Sequence, residues 1–335
     1  MGRRRKVKAL LRRSGVLVVD KPAGPTSHDL VNALRRRFRP ERLGHTGTLD
    51  PFATGVLVLV FNQATRLSDL LGGGPKAYEA ELVLGRATDT GDVTGRVIEQ
   101  AAAPALEWAQ AEAAVAALVG QRMQSPPAYS AAKHEGKPLY AYARAGKIVE
   151  KPARPITIYD ARLLGLEAGL LRFAVQCSRG AYVRVLGEDL ARALGAPGCL
   201  SGLRRVASWP FGLDEAHGLE DALAWSPEEL ECQMLGLDQA LARAGLPTVT
   251  LDDHAAWRLG QGQQLPAESL LAPGQGLDQA SGPFMARDAA GGLVAVLRWL
   301  EPEARAERAY ETIRVFPAET DPRVEMTSAS ALGAE

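Results

Sequence analysis

Seven consecutive residues, Gly55-Val56-Leu57-Val58-Leu59-Val60-Phe61, carry no polar side chain. An apolar run of that length, rich in β-branched residues and preceded by glycines and a proline, predicts a buried strand. Val16-Leu17-Val18-Val19 predicts a second. Tyr78, Ala80, Leu82 and Leu84 alternate with Glu79, Glu81 and Val83, and Leu171, Phe173 and Val175 alternate in the same way. That period of two belongs to strands with one face in a core. Helices are expected between them. One covers 28–38, capped by Thr26 or Ser27, with Leu30, Val31 and Leu34 on one face. An Ala-rich helix is expected near 106–118 and another over 182–194, after Gly180. The sequence is therefore mixed, with sheet pairing across long separations.

The chain has 335 residues, 46% of them hydrophobic, enough for two domains with packed cores. Disorder throughout, a collagen repeat and a disulfide scaffold are excluded. Cys177, Cys199 and Cys232 are too few and too irregularly spaced for a disulfide framework or a zinc site, so they are expected to be reduced thiols. No apolar run reaches the length of a membrane span, and the basic start is followed too soon by Asp20 and Lys21 for an export signal. The expected location is the cytoplasm.

Formal charge is zero, yet residues 1–45 hold thirteen Lys/Arg against three Asp/Glu. Neutrality overall thus conceals a cationic end and does not exclude a nucleic-acid partner. From about 212 to 250 the chain reads as a helical, acidic connector. Residues 261–283 read as a loop, and short strands follow at 284–287, 293–298 and 312–316.

The densest group of unusual residues is Gly44-His45-Thr46-Gly47-Thr48-Leu49-Asp50-Pro51-Phe52-Ala53-Thr54-Gly55. A phosphate cradle is disfavoured because the P-loop lysine with its Ser/Thr is missing. A turn in which Asp50 merely caps the backbone before Pro51 would explain the local chemistry alone. The wider sequence changes that balance. The loop, with Lys76-Ala77-Tyr78, Thr88-Asp89-Thr90-Gly91-Asp92, Gln124-Ser125-Pro126-Pro127-Ala128-Tyr129-Ser130-Ala131-Ala132-Lys133, Gly180-Ala181-Tyr182-Val183-Arg184 and Leu203-Arg204-Arg205, resembles the TruB-type tRNA pseudouridine synthases over residues 14–215.

The resemblance implies an α+β fold. A catalytic domain with a mixed, mostly antiparallel sheet spans 14–247, carrying an RNA-binding insertion at 121–155. A small β-rich PUA-like RNA-binding domain spans 248–318, flanked by a basic arm at 1–13 and a disordered tail at 319–335. It implies an isomerase that flips uridine 55 from the T-loop of tRNA and rejoins the base through C5. The rearrangement gains and loses no atom, so no cofactor and no metal is expected. The partner is the tRNA T-arm, and the protein is expected to act as a monomer. The alternative is a catalytically idle tRNA-binding or tRNA-folding protein on the same scaffold.

Residue by residue, the resemblance makes Asp50 the catalytic carboxylate, Arg184 its guanidinium partner and Tyr78 the residue against the target base. His45 becomes a wedge for the vacated stack. Gly44, Thr48, Lys76, Tyr182, Leu203 and Lys133 fall on the substrate side. For Tyr78 and Leu203, ordinary core packing competes with these roles, and for Arg184 a solvated helix face does. The arginines at 3–13 and 35–42, with Lys133, Lys137, Arg144, Lys147, Lys151 and Arg154, fit contact with RNA phosphates, and Tyr129, Tyr140 and Tyr142 interleave aromatics among them.

Overall fold

The computed structural model describes residues 11–270, 282–300 and 310–316. Most of the basic arm, part of the 261–283 loop and the 319–335 tail lie outside them. The chain divides into two compact units, residues 1–235 and 236–335. The short helix Leu237–Arg243 therefore goes with the C-terminal unit.

The first unit is organised by one large sheet. Its main path runs His217–Gly218, Gly15–Lys21, Thr54–Phe61, Gly198–Ser208, Lys76–Leu84, Leu170–Cys177, Arg154–Glu167 and Gly120–Gln124. Neighbours are antiparallel except at two places, where Gly15–Lys21 meets His217–Gly218 and where Thr54–Phe61 meets Gly198–Ser208. The sheet is thus mixed and mostly antiparallel. The parallel contact between Thr54–Phe61 and Gly198–Ser208 is confined to Arg204 opposite Thr54 and Arg205 opposite Gly55. Gly55 has φ +102°, and a Cβ there would collide with the Arg205 carbonyl. Glycine is required at this crossing.

The two halves of the sheet bury separate cores. Leu17, Val19, Leu57, Leu59 and Phe61 pack with Leu30, Val31, Leu34 and Phe38 of helix Ser27–Phe38. That helix begins in a capping box, in which the Thr26 hydroxyl accepts from the Asp29 amide while the Asp29 carboxylate accepts from the Thr26 amide. Leu11, at the end of the expected arm, is fully buried in this core. On the other half, Tyr78, Ala80, Leu82, Leu84, Phe173 and Val175 pack against helices Trp108–Ala116 and Val183–Ala193.

The 121–155 segment is rooted in the sheet at both ends, because Gly120–Gln124 pairs with Arg154–Ile158 as an edge. What projects between is a small hairpin, Lys133–His134 with Lys137–Pro138, and helix Leu139–Arg144.

The second unit contains a four-stranded sheet in the order Thr248–Thr250, Gly282–Arg287, Leu293–Trp299 and Tyr310–Val315. Helix Asp253–Gly260 covers it, capped by the Asp252 side chain. The Phe284 and Trp299 rings stack 5.0 Å apart in its core. The buried Tyr310 hydroxyl exchanges hydrogen bonds with both backbone groups of Leu265. This is the small β-rich, PUA-like unit that the resemblance implied. No helix among the described residues is long and apolar enough to cross a membrane.

Candidate active site

The loop between strands Leu43–His45 and Thr54–Phe61 is held almost entirely by its backbone. Lys21, fully buried, donates from Nζ to the carbonyls of Pro51 (3.1 Å) and Ala53 (2.7 Å). Arg205, also fully buried, donates to Gly47 O (3.0 Å), Thr48 O (3.4 Å) and Val56 O (2.7 Å). The Ser27 hydroxyl accepts from Leu49 N (2.9 Å) and donates to Leu49 O (3.1 Å). Gly24 N adds a bond to Pro51 O. Three side chains from outside the loop therefore fix its path and leave Asp50 to project from it.

Asp50 meets Arg184. The Arg184 Nε lies 2.8 Å from Asp50 Oδ2, and its other donors go to the carbonyls of Thr90 and Tyr129 (2.7 Å). Asp92 stands 4.0 Å from the same Nε. The Arg184 side chain is 3% exposed and that of Asp50 is 32% exposed. The guanidinium is a buried fixture, while the carboxylate keeps access to a cavity of about 360 Å³. With its other nitrogens bound to backbone carbonyls, the planar guanidinium offers the carboxylate its Nε–H in a fixed direction as well as a charge.

Asp50, Thr48, Lys76, Tyr78, Tyr182, Arg184 and Leu203 all line this cavity. Burial pushes the Tyr78 phenol up, with the Arg205 guanidinium opposing the shift. Burial lowers Lys21 and Lys76 to about 8; the Asp50 charge works against this for Lys21. Lys76 Nζ donates to the carbonyls of Gly72 and Gly74.

Three expected residues are not part of the lining. Gly44 and His45 sit in strand Leu43–His45, and Lys133 is exposed in the insertion's hairpin. His45 is lowered by burial and by the Arg205 charge, and its buried Nδ1 has no hydrogen-bond partner among the described residues. Two of the helix arginines expected to face phosphates, though exposed, are hydrogen-bonded to the protein's own carbonyls. Arg35 donates to Leu43 O, and Arg37 to Leu223 O and Trp225 O. Arg36 and Arg39 are exposed.

Four polar residues that shape the site are not among the expected site residues: Lys21, Ser27, Gln124 and Arg205. Gln124 is buried; its Oε1 accepts from Tyr182 N (2.7 Å) and its Nε2 donates to Tyr182 O (3.2 Å). Gln124 and Arg205 stand within motifs that carry the resemblance, whereas Lys21 and Ser27 lie outside them, beside Pro22 and Thr26.

A carboxylate on a rigid loop, oriented by a buried guanidinium beside an aromatic ring in the cleft of a mixed sheet, is the layout of a pseudouridine synthase. The model of the TruB family pseudouridylate synthase N-terminal domain matches residues 35–183. The chain is 41% identical over 283 residues to the tRNA pseudouridine synthase B of Chromohalobacter salexigens, covering 84% of this chain and 90% of that protein. It is 47% identical over 253 residues to that of Aromatoleum aromaticum, covering 76% and 81%. The chain belongs to the TruB family of pseudouridylate synthases. Among solved structures, a chain of a Cbf5–Nop10–Gar1 complex superposes with a TM-score of 0.69 at 24% identity, over 90% of this chain and 85% of that one, which is likeness of fold.

Proposed function

We propose that this protein isomerises uridine 55 to pseudouridine in the T-loop of tRNA. The observation that carries the reading is the Asp50 carboxylate, fixed through Oδ2 by Arg184 and open to a cavity whose lining includes Tyr78. The bond from ribose C1′ to uracil N1 breaks, the detached base turns, and C5 joins C1′. Asp50 serves this either as nucleophile or as the stabiliser of positive charge at C1′. The guanidinium keeps that carboxylate directed while the cavity is closed over by RNA. Tyr78 supplies a ring for the base to stack on and a phenol that stays protonated, since its burial pushes the pKa upward.

The target base must leave its stack to reach the cavity. His45 fills the gap as a neutral wedge, in keeping with its lowered pKa. The exposed cations of the insertion, Lys133, Lys137, Arg144, Lys147 and Arg154, set the phosphate register. The catalytic domain acts as one chain in the cytoplasm, with the PUA-like unit as a second RNA contact. The names of the relatives support tRNA as the substrate.

The test is conversion of uridine in a T-arm stem-loop transcript. The intact protein is expected to yield pseudouridine and Asp50→Asn none. Robust product from Asp50→Asn overturns the reading. Binding without product by the intact protein favours the catalytically idle alternative.

A further inference from the structure

We infer that Gln124 is a positioning residue that fastens the RNA-binding insertion to the catalytic aspartate through Tyr182 and Arg184. The inference rests on the proposed reaction and assigns a task to a residue that bonds to Tyr182 and not to Asp50.

Gln124 is the last residue of the edge strand Gly120–Gln124, directly before the projecting part of the insertion. The residue is 6% exposed, and its carboxamide uses both ends on one residue: Oε1 accepts from Tyr182 N at 2.7 Å, and Nε2 donates to Tyr182 O at 3.2 Å. This reciprocal pair copies the pattern of two antiparallel strand residues and fixes Tyr182 in direction. Tyr182 is the N-cap of helix Val183–Ala193, with φ −108° and ψ 108°. It has no side-chain cap bond, so Gln124 governs how the chain enters the helix.

Arg184 follows two residues later, and its Nη2 reaches back to the insertion at Tyr129 O, 2.7 Å away. The insertion's root and the start of the helix are therefore joined twice, once through Gln124 and once through Arg184. The second joint is made by the same guanidinium that holds Asp50 Oδ2 at 2.8 Å. Displacing either joint turns the fork away from the carboxylate, and small misplacements of reacting groups cost rate steeply. RNA seated on the insertion thus acts on a segment tied to the aspartate's partner.

Two variants test this by single-turnover conversion of the T-arm RNA at saturating protein, alongside RNA binding at equilibrium. Gln124→Met keeps the shape and removes both bonds. It is expected to slow conversion on the order of tenfold to a hundredfold while RNA affinity stays within about threefold. Gln124→Glu keeps the acceptor for Tyr182 N but sets an oxygen against Tyr182 O. A protonated carboxyl restores the donor, so its deficit should narrow as pH falls toward the carboxyl range. The Met deficit should not change with pH.

Conversion by both variants at the intact protein's rate overturns the inference. So does a loss that appears only as weaker RNA binding, or a Glu deficit that does not respond to pH. Should the Met variant fail to fold, the pH response of the Glu variant decides alone. If the intact protein makes no pseudouridine, it is the proposed reaction that fails.

Discussion

Arg184 and Asp50 meet at 2.8 Å with the guanidinium almost wholly buried and the carboxylate a third exposed. The asymmetry means that the cation is fixed first and the anion is presented on it. Arg184 also satisfies the carbonyls of Thr90 and Tyr129, so one side chain gathers three segments. Arg184→Lys keeps the charge but loses the fork. Conversion at saturating RNA is expected to fall on the order of a hundredfold or more. Near-intact turnover in that variant would mean that charge alone suffices.

Tyr78 contributes a ring and a hydroxyl, and two substitutions separate them. Tyr78→Phe keeps the ring, whereas Tyr78→Leu removes both. A loss confined to Leu assigns the work to stacking; losses with both variants assign a proton to the phenol, which burial keeps protonated. Single-turnover rates decide between them.

Ser27→Ala removes the one hydroxyl that serves both backbone groups of Leu49, next to Asp50. Leaving buried backbone groups unmet is expected to lower stability by on the order of 2 kcal/mol. Urea unfolding measures it. An unchanged midpoint would show that the loop does not depend on this bond.

Lys76 is lowered to about 8 from 10.5, chiefly by burial. Between those values the unfolded lysine keeps its proton while the folded one has lost it, so the unfolded state binds more protons and stability rises with pH. The contribution is complete above 10.5 and is lost as pH falls through about 8. Relative to Lys76→Met, the intact protein's unfolding midpoint is expected to climb across that window. A difference that stays flat would mean burial does not strain the ammonium.

Replacing Lys133, Lys137, Arg144 and Lys147 together should weaken T-arm binding and flatten its dependence on salt, because fewer counterions are released. An unchanged slope would remove the insertion from the contact surface.

Where one face of an element is uniform, the sequence predicted the structure well. The alternation at Tyr78, Ala80, Leu82 and Leu84 appears as the buried face of strand Lys76–Leu84, and the box at Thr26 opens its helix. Strands Arg154–Glu167 and Gly198–Ser208 were not legible. Each is broken by two register shifts, and every shift reverses which side chains face inward. The same limit applies within the site. Asp50, Tyr78 and Arg184 were found through family motifs, but Arg205 and Lys21 are buried cations that bond to backbone carbonyls. Residue type alone does not set them apart from lysines and arginines on a wet surface.

The hydrogen bonds that shape the catalytic loop run through its main chain: Gly47, Thr48, Leu49, Pro51 and Ala53 offer carbonyls or an amide, Leu49 and Ala53 anchor it in the core, and the Asp50 side chain turns outward to Arg184. Form and reactivity are therefore written in different letters. A chemist could exchange the reactive group at position 50 for an amide, a longer acid or a thiol and still present it from the same perch, which makes this loop a socket for comparing warheads.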